Sequence, residues 1–197
     1  DNGIRADSKI EKLARLRPAF DKKFGTLTAA NSSFLTDGAS AVLLMSEEKA
    51  KALGFIPKAE VVDYVFTGQR LEDELLLGPA YAVSKLLDRQ KMTFNDIDVI
   101  EFHEAFAGQI LSNLKALASE DFAVNELGLK KALGEVPMEK FNLWGGSLSI
   151  GHPFGATGGR LLTTTCNRLK HEKGTYGLLA ACAAGAHGHA MLIKTLS

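Results

Sequence analysis

The apolar residues of this chain fall into compact runs that alternate with helically spaced positions. Residues 38–45 form the first run, which has the length and composition of a buried strand. Ser46, followed by two glutamates, is a typical helix N-cap, and Gly54 is a typical residue at which a short helix ends. These positions predict one strand followed by one helix.

Two further units of the same kind follow along the chain. Residues 59–66 are rich in valine and aromatic residues and predict a strand, and Pro79 is favoured in the first turn of the helix after it. That helix would bury Val83, Leu86 and Leu87. Residues 97–102 predict the third strand, and the helix after it has apolar residues at helical spacing, namely Phe106, Ile110, Leu114 and Leu117. Three units in series predict an α/β fold with helices covering a layered sheet.

The remaining segments are a connector, a surface excursion and a closing helix with two strands. Residues 1–25 carry seven Lys/Arg and four Asp/Glu, and they predict a connector or loop-domain remnant before a domain of residues 26–197. Residues 118–143 are polar and predict a surface excursion with one or two short helices. A helix with an apolar stripe comes next, followed by two strands around Cys182. The stripe consists of Leu161, Leu162, Thr165, Cys166 and Leu169.

Composition narrows the classes of function. Of the 197 residues 46% are hydrophobic and 23% are charged, which excludes collagen-like, disordered and disulfide-stapled chains. The 23 basic and 23 acidic residues balance, so we expect no nucleic-acid partner. The two cysteines are compatible with a reducing compartment, and no apolar run reaches the roughly 18–20 residues of a membrane-spanning helix. The chain opens without methionine, and we expect further sequence before it.

Two histidines stand where ligands bind in open α/β sheets. His103 directly follows a predicted strand and precedes a helix, where both a site histidine and a hydrogen-bonded structural histidine fit. His152 lies among glycines just before the last helix, near the positive end of that helix dipole, although a surface turn would also explain the glycines. These glycines are not followed by the Lys-Ser/Thr pair of a P-loop, so we reject that motif.

The two cysteines differ in their surroundings. Cys182 is followed by a loop of small residues that leaves bare backbone beside a thiol, although a buried, inert cysteine also fits this position. Cys166 lies within a helix stripe, where we expect it to be structural. His187 and His189 lie close to Cys182 in sequence, but no C-x-x-C spacing supports a zinc site, so we expect no metal.

Several motifs in order resemble the C-terminal half of the thiolases. The main ones are NLWGG at residues 142–146, GHPFGATG at residues 151–158 and the loop after Cys182, with TAANSS at residues 28–33 and DGA at residues 37–39 before them. The resemblance implies a thiolase-fold half: a mixed β-sheet covered by helices, within a layered αβαβα subunit. The covalent nucleophile of the family is another cysteine, in the N-terminal half, and no segment here matches the surroundings of that cysteine.

Within the family the chain is similar to the branch that contains the β subunits of the fatty-acid β-oxidation complexes, mitochondrial and bacterial. That branch has HEAF at residues 103–106, where most thiolases have Asn in place of the histidine, and it has the long 118–143 excursion. Ala184 and Ala186 stand in a loop that is glycine-rich in the family, and Trp144 replaces a common Asn. We interpret the two alanines as a mark of the branch.

The resemblance implies a 3-ketoacyl-CoA thiolase, an acyltransferase that cleaves 3-ketoacyl-CoA with free coenzyme A or runs the reverse condensation. It implies that His152 activates the upstream cysteine and donates to the thioester oxygen, and that Cys182 exchanges the proton at carbon if the site lowers its pKa from about 8.5. His103 would complete the first oxyanion site and the backbone N–H of Ala184 would serve the second. The substrate-binding positions implied are Ala29 and Ser33 for the pantetheine arm, and Ala105 and Phe106 for the pocket.

The resemblance also implies partners and a location. It implies the N-terminal thiolase half, a homodimer, a hydratase/dehydrogenase α subunit, and coenzyme A as a substrate without any cofactor. The location implied is the mitochondrial matrix or inner-membrane surface, or the cytoplasm of a bacterium. The alternatives are an inactive or CoA-binding thiolase-like fragment, an acetyl-CoA acetyltransferase and a β-ketoacyl synthase relative. Synthases use a second histidine where Cys182 stands, and this argues against the last of these.

Overall fold

The computed structural model describes residues 3–196, apart from the side chain of Asp73. Its helices are α1 Ile10–Leu13, α2 Glu47–Leu53, α3 Leu71–Glu74, α4 Gly78–Gln90, α5 Ala107–Ala118, α6 Glu120–Asn125, α7 Ser147–Ile150 and α8 Thr157–Glu172. Its strands are β1 Glu60–Gly68, β2 Val99–Phe102, β3 Tyr176–Ala183 and β4 His187–Lys194. Single 3₁₀ turns occupy Phe94–Asp96 and Met138–Lys140.

The four strands form one mixed sheet in the order β1-β4-β3-β2. β1 and β3 each run antiparallel to β4, whereas β2 runs parallel to β3, with Phe102 opposite Ala180. The predicted α/β class and the mixed sheet covered by helices are confirmed. β3 continues beyond the end of β2, so the chain leaves β2 beside the last residues of β3.

Helices cover both faces of the sheet. On one face α4 and α5 pack over a core that includes Val83, Leu86 and Leu87, all fully buried as predicted. On the other face α8 packs Leu161 and Leu169 against the sheet. The apolar stripes of α4 and α8 were therefore correctly predicted, because their spacing matches one face of a helix.

The start of α4 touches the sheet backbone to backbone. A Cβ on Gly188 of β4 would lie 2.2 Å from the carbonyl oxygen of Gly78, and one on Gly78 would lie 2.5 Å from the Cα of Gly188. Since neither position has room for a methyl group, both must be glycine for α4 to pack this closely. Gly188, one of the small residues after Cys182, thus makes room for the backbone of Gly78.

The predicted strand at residues 38–45 is also wrong. Among the described residues this segment pairs with no strand, and Val42, Leu43 and Leu44 are 47%, 70% and 76% exposed. An apolar run becomes a strand only where a neighbouring strand takes its hydrogen bonds, and the sheet described here offers it none. The segment instead borders a cavity of about 620 Å³ whose other wall includes Leu162 and Cys166 of α8.

The other predicted elements are present. Helix α2 begins where the Oγ of Ser46 accepts the N–H of Lys49 and ends at Gly54, whose φ is 71°. The excursion at residues 118–143 contains α6 and one 3₁₀ turn, and Cys182 lies within β3, the first of the two closing strands. Within residues 3–196 no helix is both long and apolar enough to span a bilayer.

Candidate active site

The site begins where β2 ends. The N–H of His103 donates to the carbonyl of Ala180 at 2.8 Å, which extends the β2–β3 pairing by one residue, and the side chain of His103 is buried. The next residues turn away from the sheet, and the carbonyl of Ala105 accepts the N–H of Ser33 at 2.9 Å. The segment before Ser33 is thereby held against the strand end that carries His103.

His103 and His152 meet in the folded chain. Their ring centroids lie 4.0 Å apart with the ring planes tilted by 34°. His152 is placed by its own N–H, which donates to the carbonyl of Phe34 at 2.9 Å, and by Gly151, whose φ of 91° suits glycine. The structure thus brings together two histidines that belong to separate motifs, whereas their roles stay predictions.

A hydroxyl determines which nitrogen of His152 carries hydrogen. Nδ1 lies 2.6 Å from the Oγ1 of Thr157, and that hydroxyl donates its one hydrogen to the carbonyl of Pro153 at 3.2 Å. With the hydroxyl hydrogen on Pro153, Nδ1 is the donor toward Thr157, which leaves the lone pair on Nε2. Burial, followed by the charge of Arg160, lowers the pKa of His152, so the ring is neutral and basic at Nε2.

His103 is a neutral imidazole. Burial lowers its pKa to about 3, with further contributions from His152 and Arg160. Its Nδ1 lies 2.9 Å from the Oγ of the fully buried Ser147, and Arg160 Nη2 donates to the same oxygen at 3.1 Å. A ring that stays uncharged near pH 7 is suited to donating a hydrogen bond, not to holding a proton.

Cys182 lies near the same end of the sheet. It is two residues beyond Ala180 on β3, it is 8% exposed, and among the described residues it makes no hydrogen bond to either histidine. Burial raises the pKa of its thiol to about 11. The expected lowering of this pKa is therefore absent from this structure, and the thiol is held in its protonated form.

The loop after Cys182 is a tight turn between β3 and β4. Ala184 is exposed, Gly185 has a φ of 88°, and Ala186 has a φ of 56° with its side chain buried. A left-handed alanine costs roughly 1–2 kcal/mol relative to glycine, which accounts for glycine being common in this loop. The backbone N–H of Ala184 stays the predicted second oxyanion donor.

The predicted substrate-binding residues belong to two segments that meet at the end of β2. Ala29 is exposed in a turn, and Ser33 is bound through its backbone to Ala105. Phe106 is half-buried, and its ring makes an edge contact with Phe20 at 5.7 Å between centroids. The structure places these positions around one strand end, and their contacts with a substrate stay predictions.

Among the described residues, the remaining histidines and the second cysteine make no hydrogen bond or ring contact with His103 or His152. Nδ1 of His189 donates to the carbonyl of Val65 at 3.1 Å and the ring stacks on Phe66 at 4.5 Å between centroids, while His187 is exposed. Within residues 3–196 no group of three or more His, Cys, Asp or Glu side chains is arranged to hold a metal ion. Cys166 is half-buried on α8, as predicted from its place in the stripe.

Sequence reasoning missed three residues around His103. Ser147 and Arg160 form hydrogen bonds in the site, and Glu104 accepts the Nδ2 of Asn142 at 2.6 Å and the N–H of Leu148 at 3.0 Å. Only Glu104 carried a signal, as an acidic residue directly after the candidate histidine. Ser147 and Arg160 carried none, because their relation to His103 depends on how the loop at residues 142–150 folds.

Comparison with protein families gives two matches. Residues 55–195 match the family described as "Thiolase, C-terminal domain", and residues 1–48 match "Thiolase, N-terminal domain". The match to the N-terminal domain ends at residue 48, and the match to the C-terminal domain begins at residue 55. The predicted division at residue 25 stays a prediction.

Individual proteins and solved structures agree with these matches. The chain is 61% identical over 194 residues to "Trifunctional enzyme subunit beta, mitochondrial" of Bos taurus, covering 98% of this chain and 41% of that protein. It is 58% identical to a "Probable 3-ketoacyl-CoA thiolase" of Caenorhabditis elegans, covering 98% of this chain and 43% of the relative. The chain therefore spans less than half the length of these relatives.

Two crystal structures share the fold. The acetyl-CoA acetyltransferase of Bacillus anthracis superposes with a TM-score of 0.84 at 38% identity, covering 100% of this chain and 45% of that one. The human mitochondrial 3-ketoacyl-CoA thiolase in complex with CoA superposes with a TM-score of 0.83 at 32% identity. This match covers 98% of this chain and 44% of that one.

Proposed function

The chain belongs to the thiolase family, and on this premise we propose that it supplies the acid/base and oxyanion-binding part of a 3-ketoacyl-CoA thiolase of fatty-acid β-oxidation. The names of the relatives from Bos taurus and Caenorhabditis elegans support this choice of substrate. The reaction is the transfer of an acyl group to coenzyme A, which acts as a substrate. We propose no resident cofactor or metal.

The observation that carries the proposal is the contact of two neutral histidines at the end of the sheet that also bears a protonated thiol. Their ring centroids are 4.0 Å apart, and the neighbours of His152 leave its Nε2 free to accept a proton. Carbon–carbon cleavage by a thiolate needs a base for the nucleophile, an acid for the departing carbon and donors for two oxyanions. The described residues offer candidates for each of these tasks.

His152 acts first in the proposed cycle. Its Nε2 takes the proton from the nucleophilic cysteine of the N-terminal half, and that thiolate attacks the keto carbon of 3-ketoacyl-CoA. The C2–C3 bond then breaks, the acyl group stays on the cysteine, and acetyl-CoA leaves as an enolate. His152, now protonated at Nε2, donates a hydrogen bond to the enolate oxygen. Its hydrogen bond to Thr157 holds the ring in this orientation.

Cys182 acts as the acid. Because burial raises the pKa of its thiol to about 11, the group enters the reaction as S–H. It gives this proton to C2 of the enolate and completes acetyl-CoA. The resulting thiolate accepts the proton of the incoming coenzyme A thiol, whose sulfur attacks the acyl-cysteine and releases the shortened acyl-CoA. The nucleophilic cysteine leaves as a thiolate and takes back the proton held by Nε2 of His152. A raised pKa therefore suits the cleavage direction better than the lowered one expected from the sequence.

The two oxyanion donors are assigned from where His103 and Ala184 lie in the site. His103 is neutral and buried next to His152, so it is placed to share the enolate oxygen with it. The backbone N–H of Ala184, in the turn after Cys182, is the proposed donor to the oxygen on the attacked carbon. A backbone donor has no need of a particular side chain, so alanine at this position is compatible with activity. Ala29 and Ser33 are proposed to contact the pantetheine arm, and Ala105 and Phe106 the acyl group.

Two kinds of protein partner belong to the proposal. A homodimer and a hydratase/dehydrogenase α subunit are proposed, the latter because the Bos taurus relative is named as a β subunit of a trifunctional enzyme. The proposed location is the mitochondrial matrix or inner-membrane surface for a eukaryotic source. For a bacterial source it is the cytoplasm, in line with the similar 3-ketoacyl-CoA thiolase of Pseudoalteromonas atlantica.

The test uses a completed protein, meaning this chain preceded by a thiolase N-terminal half in one polypeptide. We expect it to cleave 3-ketoacyl-CoA in the presence of free coenzyme A, measured as loss of substrate and formation of acetyl-CoA. Cys182→Ala should lower the rate about 10²–10⁴-fold, whereas the matched variant Cys166→Ala should leave it unchanged. Binding of coenzyme A without cleavage would favour a CoA-binding module. Condensation of acetyl-CoA with no cleavage of longer substrates would favour an acetyltransferase.

A further inference from the structure

A chain of hydrogen bonds runs from a charged residue to the buried histidine. Arg160 Nη2 donates to the Oγ of Ser147 at 3.1 Å, and that oxygen lies 2.9 Å from Nδ1 of His103. We propose that Ser147 and Arg160 are positioning residues that hold His103 as the tautomer with hydrogen on Nε2, so that this ring donates to the substrate oxyanion. The proposal rests on the proposed function for its use in catalysis, but not for the tautomer itself.

The hydrogen inventory determines the direction of each bond. A guanidinium has only donors, so Ser147 is the acceptor in its bond with Arg160. The hydroxyl hydrogen of Ser147 then has one acceptor among the described residues, the Nδ1 of His103. Because Nδ1 accepts, the hydrogen of the neutral ring is on Nε2. Ser147 is 0% and His103 3% exposed, so water does not compete for these atoms.

Arg160 has the features of a residue that orients Ser147. Its Nε and Nη1 atoms are buried and, among the described residues, have no hydrogen-bond partner, so the bond to Ser147 is the one its side chain makes there. Burial acts to lower the pKa of Arg160, whereas the carboxylates of Glu101 and Glu104 oppose this. The positive charge that remains disfavours protonation of both nearby histidines.

The loop that carries Ser147 is held by the residue next to His103. The carboxylate of Glu104 accepts the N–H of Leu148 at 3.0 Å and the Nδ2 of Asn142 at 2.6 Å. A Cβ on Gly146 would lie 2.3 Å from an oxygen of this carboxylate, so glycine permits the close approach. Because Glu104 is next to His103 and Leu148 is next to Ser147, the bond between Glu104 and Leu148 fixes the distance between His103 and Ser147.

Ser147 and Thr157 thus give the two histidines different chemical properties. Thr157 accepts from Nδ1 of His152 and leaves a base at Nε2, while Ser147 donates to Nδ1 of His103 and leaves a donor at Nε2. An oxyanion between the rings would meet a donor from His103 before any proton moves. Such preorganised donors are the kind whose removal costs about 10²–10³ in rate.

The first test measures the tautomer directly in the 197-residue chain. Long-range ¹H–¹⁵N NMR of the labelled histidines reports which ring nitrogen carries hydrogen. We expect His103 to be the Nε2–H form, and Ser147→Ala to lower the ratio of the Nε2–H to the Nδ1–H form about three- to tenfold, the value of one hydrogen bond. Ser147→Thr, which restores the hydroxyl, should recover the original ratio. Arg160→Met should lower the ratio of the Nε2–H to the Nδ1–H form, whereas Arg160→Lys should lower this ratio less.

The matched control is Ser149→Ala, because Ser149 is on the same short helix but its Oγ bonds the carbonyl of Gly146 and not His103. It should leave the His103 signals unchanged. An Nδ1–H form of His103 in the unaltered chain, or a ratio that Ser147→Ala does not move, would overturn the proposal whether or not the completed protein is active.

The second test separates positioning from folding by kinetics of the completed protein. Ser147→Ala should lower kcat about tenfold or more while the KM for 3-ketoacyl-CoA changes less than about threefold, as expected for a donor used mainly in the transition state. An equal change of kcat and KM, or none, would contradict the catalytic use of the tautomer. If the unaltered completed protein shows no cleavage, the proposed function fails, and the NMR result still decides the assignment of the tautomer.

Discussion

The rings of His103 and His152 lie 4.0 Å apart, and their Nδ1 atoms face hydroxyls that play opposite parts. Thr157 receives a hydrogen from His152, whereas Ser147 gives one to His103. Two side chains of the same type therefore present a base and a donor to one small volume. In the proposed reaction this arrangement would let one site take a proton from the nucleophile and donate a hydrogen bond to an oxyanion.

The first prediction concerns acid stability. Burial lowers the pKa of His103 from 6.5 to about 3, so within this window the unfolded chain binds one more proton than the folded chain at this residue. The stability contribution is present above pH 6.5 and is lost as the pH falls, at about 1.4 kcal/mol per pH unit. In His103→Gln the free energy of unfolding should therefore decrease less steeply as the pH is lowered. Urea unfolding at several pH values measures this slope.

The control for this prediction is His171→Gln, because His171 is exposed. That variant should keep the slope of the unaltered chain. Equal slopes for the unaltered chain and His103→Gln would show that His103 titrates alike in the folded and unfolded states, and the buried neutral ring described here would then be incorrect.

The second prediction concerns the contact between α4 and β4. In Gly188→Ala a methyl group would lie about 2.2 Å from the carbonyl oxygen of Gly78. Neither the Cβ atom nor the backbone oxygen can move away by a side-chain rotation. We expect α4 to be displaced and the free energy of unfolding to fall by about 1–3 kcal/mol, the usual cost of overpacking a core. Thermal or urea unfolding measures the loss. Gly155→Ala, where a methyl group meets no atom within 4 Å, is the control and should change stability little.

How far the sequence predicts this structure is clear from particular elements. Ser46 and Gly54 marked helix α2 correctly because capping is local chemistry. The apolar run at residues 38–45 was misread because strand pairing depends on a distant neighbour. His103 and His152 could be found from their motifs, but Ser147 lies 44 residues from His103 and meets it only through the fold. The burial that raises the pKa of Cys182 depends in the same way on packing that a sequence does not display.

The third prediction concerns a buried ion pair. Arg168 and Glu101 are both 0% exposed and bond at 2.8 Å, and Arg168 also holds Glu172 at 2.7 Å. Arg168→Met should lower the free energy of unfolding by about 3–5 kcal/mol, because it leaves the carboxylate of Glu101 buried without its partner. Adding Glu101→Leu should recover much of this loss. Urea unfolding of both variants would contradict the argument if the double variant were the less stable one.

The fourth prediction separates the two thiol-dependent steps of the proposed reaction. By itself the 197-residue chain should not turn over 3-ketoacyl-CoA, because covalent transfer needs a nucleophile. Cys182 is buried and protonated, and Cys166 is half-buried on α8, away from the histidines. In the completed protein the nucleophile is present, and the variants of this chain then affect different steps.

Cys182→Ala should still allow acylation of the upstream cysteine while suppressing exchange of the methyl protons of acetyl-CoA by about 10²–10⁴-fold, the usual contribution of a positioned acid or base. His152→Ala should impair both steps, because the same Nε2 activates the nucleophile and then binds the enolate oxygen. Mass spectrometry after mixing with acyl-CoA measures acylation, and deuterium uptake by acetyl-CoA measures exchange. Since the two steps use different thiols, proton exchange that survives Cys182→Ala would assign the acid/base role to another group.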